Sequence, residues 1–204
     1  MVAAKSGVDR KEQIVSAAID RLYSVGFEGL RVGDVARDVG INNATLVHHF
    51  GSKVALINAV VARFTRTFEA VADATNTEGP PQDRLARHLQ SSLALMRSAP
   101  EMFVVLNEIM VRARRDPEVS RLVSAPIRSW RQHIVSLILA PADEADPAAR
   151  TRAEDIATAC MAQLLGTGLL FNVAGPTAFP LEPGPERSGP WAIAAMTSLI
   201  GDAS

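Results

Sequence analysis

Six side chains between positions 31 and 53 are suited to gripping or reading a nucleic acid: Arg31, Asn42, Asn43, Thr45, His48 and Lys53. An Asn amide offers one donor and one acceptor, a pair that matches the major-groove edge of adenine. Thr and His can bond phosphates or base acceptors. Arg and Lys add phosphate contacts, which bring affinity and salt dependence without sequence information. His48 and His49 are adjacent, so on a helix they diverge by roughly 100° and make a poor metal pair. His49, beside Phe50, reads as a packing residue. No metal or other cofactor is expected.

These residues need a scaffold that exposes them on one helix. From Asp9 a helical pattern begins, after a short arm over residues 1–8, with Ile14, Ala17, Ala18, Leu22 and Val25 on one apolar face and Gly26 as its stop. A second helix is predicted over 32–39, with Val32, Val35, Ala36 and Val39 facing one way. Gly40 then permits a tight turn, and Asn42 or Asn43 caps a third helix that runs to Phe50. Two short helices about such a turn form a helix-turn-helix, whose second helix fits the major groove. A long fourth helix over 53–74 carries Leu56, Ile57, Val60, Val61, Phe64, Phe68 and Val71 as its buried stripe.

Further helices are predicted over 82–97, 101–114, 118–139 and 148–173, and a short last one over 190–200. Pro126 is expected to kink or split the helix over 118–139. No alternating strand pattern is present. The fold class is therefore all-α, with about nine helices: a three-helix DNA-binding domain over residues 1–52 and a helical bundle over 53–204.

Composition sets bounds on this reading. The chain has 204 residues, 48% hydrophobic and 21% charged, enough for a sizeable core. Its net charge of -1 gives no bulk support for nucleic-acid binding, which must rest on a local footprint. A single cysteine, Cys160, excludes an internal disulfide. The opening MVAAKSGVDRKEQ lacks an apolar run of signal type, and no stretch is read as long and apolar enough for a membrane span. A soluble cytoplasmic protein without membrane contact is expected.

The run from Arg10 to Leu56 resembles the N-terminal domain of the TetR family of bacterial regulators. The resemblance rests on Ile14, Ala17-Ala18, Leu22-Tyr23, Gly26-Phe27, Val32, Asp34-Val35-Ala36, Val39-Gly40-Ile41, Thr45-Leu46, His49-Phe50, Ser52-Lys53 and Leu56. It implies that the third helix reads DNA through Asn42, Asn43 and Thr45, and that Lys53 contacts a phosphate. It further implies a helical regulatory domain that binds a small ligand and forms a homodimer through its last two long helices. Leu164, Leu170, Phe171 and Trp191 are then the dimerisation candidates. Glu108 would be a structural link. Three positions depart from the family pattern: Leu30-Arg31 replaces a Ser or Thr cap, Gly33 stands where arginine is common, and Val47 replaces an aromatic phosphate contact.

For the ligand, the candidates are Met96, Phe103, Asn107, Met110, Trp130, His133 and Gln163. Asn107, His133 and Gln163 stand out because a polar group within an apolar face needs a partner. The lining points to a hydrophobic or aromatic small molecule. No nucleophile elbow, phosphate loop or acid pair indicates an enzyme. The expected function is a ligand-responsive repressor that binds a palindromic operator as a dimer and is released by a small hydrophobic ligand. The alternative is a helical ligand-binding or protein-interaction dimer with weak or lost DNA binding.

Overall fold

The computed structural model describes residues 2–74, 78–140 and 145–178. They form eight α-helices: α1 (Val2–Gly29), α2 (Val32–Asp38), α3 (Asn43–Phe50), α4 (Lys53–Ala74), α5 (Pro81–Ser98), α6 (Pro100–Ala113), α7 (Pro117–Ile138) and α8 (Pro147–Ala178). No strand occurs among the described residues. The ninth helix expected over 190–200, and Trp191 with it, lie outside them.

Two boundaries differ from the sequence reading. Helix α1 begins at Val2, so most of the expected arm is helical. Pro126 sits inside α7 without splitting it. Proline removes one backbone donor, and the flanking turns carry the helix across that loss. Gly26 behaves as expected: at φ 69° and ψ 178° it interrupts α1 before a final turn.

The described chain packs as two compact units. Among the described residues, the first comprises 2–66 and 104–124, the second 67–74, 78–103, 125–140 and 145–178. This packing boundary does not follow the expected functional boundary after residue 52. Helices α4, α6 and α7 each contribute residues to both units.

In the first unit, Ile14, Ala18, Leu22, Val35, Ala36, Leu46, Leu56, Ile57 and Val60 are buried together with Val105, Ile109 and Val119. Arg21 fastens α1 to the end of α2 through paired bonds to Asp38 at 2.6 and 2.7 Å. In the second unit, Leu85, Leu89, Leu93 and Met96 of α5 are buried with Ile134, Leu137, Ala157, Cys160 and Leu164. A Cβ on Gly168 would lie 3.2 Å from Phe103 and 3.3 Å from the Met96 methyl, so the missing side chain lets α8 approach them closely.

Helix α8 is more apolar over its length than a count of uninterrupted apolar residues conveys. By length and composition alone, Pro147–Gly175 is apolar enough to cross a bilayer. Its Gly, Thr and Gln residues break the apolar run but add no charge, so counting uninterrupted apolar residues missed it. Ala153, Ala157, Cys160, Leu164 and Thr167 are buried in the unit, while Leu169, Leu170 and Val173 are exposed.

Candidate nucleic-acid interface and buried polar cluster

The geometry of α3 begins at its cap. Asn42 has an extended backbone, and its Oδ1 accepts from the Thr45 amide at 2.7 Å and from the Thr45 hydroxyl at 3.0 Å. Both lone pairs of that oxygen are thereby engaged. Asn42 thus holds the helix in place, and its Nδ2 group keeps its donors. Asn43, the first residue of α3, is exposed, as are Val47 and His48; Thr45 is half-buried. Leu46 faces inward at 1% exposure. His49 is half-buried, and its ring centroid lies 5.9 Å from that of His48. Asn43 and His48 are therefore the outward polar side chains on this helix whose bonding groups are not spent on its cap.

Arg31 is exposed and occupies the N-cap position of α2. It makes no side-chain cap, in keeping with the absence of Ser or Thr there. Its carbonyl accepts from the Asp34 and Val35 amides, and Asp34 places a carboxylate in the first turn, where the helix dipole favours it. Asp34 also pairs with Arg37 at 3.0 Å.

Lys53 is engaged with the protein itself. Its Nζ donates to the Phe27 carbonyl at 2.7 Å and lies 4.5 Å from the centre of the Phe27 ring. Burial lowers its pKa below the usual lysine value; Arg112 works in the same direction and Glu28 against it. An ammonium carries three donors, so two remain beyond the Phe27 bond.

Phe27 is a junction. The break at Gly26 frees the Phe27 amide, and Glu108 Oε2 of α6 accepts from it at 3.1 Å. Arg112, one turn further along α6, lies 5.4 Å from the centre of the Phe27 ring and bonds Glu28 at 2.9 Å. Asp116 receives Arg112 at 3.1 Å and caps α7 by accepting from the amides of Glu118 and Val119. Glu108 thus makes a structural bond between helices, the role expected for it, while the parts of Lys53 and Arg112 were not legible.

The ligand candidates divide between the units. Asn107 and Met110 fall in the first; Met96, Phe103, Trp130, His133 and Gln163 fall in the second. Met96 and Phe103 are buried, and Trp130, His133 and Gln163 are half-buried. The second unit brings Trp130 and His133 together around His88, which the sequence reading overlooked. Trp130 Nε1 donates to His88 Nε2 at 3.4 Å, and the His88 and His133 ring centroids are 5.0 Å apart. Phe68 stacks on Trp130 at 5.9 Å with an interplanar angle of 11°, and meets Phe103 edge-on at 6.0 Å. Burial, and secondarily His133, lowers the His88 pKa to about 4, so the ring is neutral at pH 7. Three buried nitrogens in this unit, Arg84 Nε, His88 Nδ1 and His133 Nε2, have no hydrogen-bond partner. A signal for His88 existed: it lies on the same face as Leu85, Leu89 and Ser92, where a polar residue is out of place. Cys160 is buried as a neutral thiol, its pKa raised by burial to about 11.

The dimerisation candidates also separate. Leu164 is only 1% exposed in the single chain and is a core residue, not a surface one. The period of α8 turns it inward, against its expected place at a dimer interface. Leu170 is 48% exposed and Phe171 half-buried; Leu169 and Val173 add apolar surface beside them.

An all-helical chain that presents Asn43 and His48 from the second helix of a helix-turn-helix has the architecture of a helix-turn-helix transcriptional regulator. Residues 14–60 match the family model described as bacterial regulatory proteins, tetR family. Through that region the chain is similar to the TetR family of transcriptional regulators. It is similar to the HTH-type transcriptional regulator BetI of Agrobacterium fabrum, with 27% identity over 140 residues, 67% of this chain and 68% of that protein. It is also similar to RutR of Escherichia coli, with 28% identity over 92 residues, 45% of this chain and 43% of the other. Among solved structures, a transcriptional regulator from Rhodococcus sp. Rha1 shares the fold at a TM-score of 0.73 and 21% identity, covering 94% of each chain. A transcriptional regulator from Saccharomonospora viridis, solved in complex with choline, shares it at 0.66 and 19% identity, over 96% of this chain and 95% of that one.

Proposed function

We propose that the protein is a ligand-responsive repressor that binds a palindromic operator as a homodimer and releases it when a small molecule occupies the second unit. The observation that carries the DNA-binding part is the outer face of α3. Its cap is complete, its inner face is buried, and Asn43 and His48 remain exposed. Arg31 and the remaining donors of Lys53 would add phosphate contacts. Asn42 and Thr45 would contribute chiefly by fixing the start of the helix. Such a protein would act in the cytoplasm and catalyse no reaction.

The homodimer reading rests on Leu169, Leu170 and Val173, an apolar set exposed on one helix of the single chain. A twofold dimer presents two α3 helices to two half-sites about one helical turn of DNA apart, or a multiple of it. Occupation of the second unit would act through α4, α6 and α7, which contribute to both units. A ligand shifts such an equilibrium only by its difference in affinity for the two states.

A gel shift with DNA from upstream of the protein's own gene tests this reading. A shifted band at low salt, lost on adding the inducer, is the expected result. No shift by folded dimeric protein at low salt would favour the alternative, a ligand-binding dimer without DNA binding. That alternative draws its support from Gly33 and Val47, which offer no side-chain donor.

A further inference from the structure

We propose that the second unit takes a small organic acid, its carboxylate held by Arg84 and His88 and its aromatic body set against Phe68 and Trp130. The inference rests on the ligand-responsive reading above and names the class of ligand.

Arg84 and His88 are separated by one turn of α5 and so share a face. His88 is 2% exposed. Its Nε2 accepts from Trp130, so in the neutral ring the proton sits on Nδ1, which is a donor without a partner. Arg84 Nε is likewise a buried N–H donor without a partner, on a side chain that is always charged. Leaving such donors unmatched costs free energy, more so beside a fixed charge. A carboxylate has two oxygens, accepts several bonds and brings a negative charge to the guanidinium. His133 Nε2, also buried and unpartnered, belongs to the ring 5.0 Å from His88 and supplies a third polar contact.

Two other occupants fit less well. A metal ion needs a further ligand, and no three His, Cys, Asp or Glu side chains converge among the described residues. An organic cation would gain from the faces of Phe68 and Trp130. It would nevertheless meet the Arg84 charge and donors that it cannot accept. The acidic group that acts on this cluster, Asp73, is exposed and exerts its influence on His133.

The test is calorimetric titration of the full chain, without DNA, with 3-phenylpropionate, 3-phenylpropan-1-ol and choline. The propionate is expected to bind once per chain and at least tenfold more tightly than the other two. Arg84→Gln should weaken the propionate at least tenfold and leave the alcohol unchanged; His88→Gln, as a second variant, should weaken the propionate too. Equal or tighter binding of choline or the alcohol, no binding of the propionate at millimolar concentration, or an unchanged affinity in folded Arg84→Gln would each overturn the proposal. A gel shift separates it from the broader reading. An acid that binds without releasing DNA supports the site and ends the switch, whereas release by a non-acid alone supports the switch and ends this site.

Discussion

The carboxylate of Glu108 accepts a hydrogen bond from the backbone amide of Phe27 at 3.1 Å, across 81 residues of sequence. Gly26, at φ 69°, turns that amide out of the α1 hydrogen-bond pattern, and α6 supplies the acceptor. Lys53 binds the Phe27 carbonyl and Arg112 lies near its ring, so one residue joins α1, α4 and α6. All of these groups belong to the first unit, the one that carries α3.

Glu108→Ala should therefore destabilise the chain although the side chain is exposed. A hydrogen bond to a charged group is worth about 1.5–3 kcal/mol when buried, and solvent reduces that here to about 1 kcal/mol. Glu108→Gln keeps an acceptor oxygen and should retain most of the stability. Urea denaturation of the two variants checks this; equal losses would show that the bond to Phe27 is not what Glu108 contributes.

Asn42 and Asn43 should behave differently despite being neighbours. Asn42→Ala removes the α3 cap and is expected to cost about 0.5–2 kcal/mol, whereas Asn42→Asp should restore most of it. Asn43→Ala leaves the cap intact and should leave the melting temperature almost unchanged. Thermal melts by circular dichroism distinguish the two. A stable Asn42→Ala variant would mean that the Thr45 amide finds another acceptor.

Stability should fall as the pH drops from about 6.5 toward 4. His88 has a folded pKa of about 4 against an ordinary 6.5, so in that window the unfolded chain binds the extra proton. The loss is absent above the unfolded value, reaches about 2 kcal/mol by pH 5 and levels off below the folded value. His133, also lowered by burial, acts in the same direction. Denaturation at pH 7 and pH 5 should show His88→Leu losing much less than the natural chain; an equal loss would place the sensitivity elsewhere.

Substitutions on α8 should sort by face. A Leu170→Glu, Val173→Glu double variant is expected to shift the protein from dimer to monomer in sedimentation equilibrium while remaining helical. Leu164→Ala should instead lower stability by about 2–5 kcal/mol, as befits a fully buried leucine. A double variant that stays dimeric would remove this face from the interface.

The sequence made the scaffold of α1 to α4 readable because glycine turns, Asn caps and helical periodicity are local features. Asn42 and Gly26 announce themselves by residue type. The roles of Lys53 and Arg112 were hidden, because both depend on Phe27, which is 26 and 85 residues away in sequence. Lys53 looked like a free surface cation, and only packing reveals its bond to a carbonyl. His88 was visible as a polar residue on the α5 stripe, yet its partner Trp130 is 42 residues on. Leu164 shows the reverse: its place in the last long helices suggested a surface for a partner chain, and the helix turns it into the core.

The most direct measurement is fluorescence anisotropy of the protein on DNA from upstream of its own gene and on unrelated DNA of equal length. The natural chain should bind the former at least a thousandfold more tightly, the usual lower margin of specific over non-specific binding. The Asn43→Ala, His48→Ala double variant should lose at least tenfold on the upstream DNA, with little change on unrelated DNA or in melting temperature. Equal affinity of the natural chain for both DNAs, or a folded double variant that binds the upstream DNA undiminished, would contradict the assignment of α3 as the reading helix.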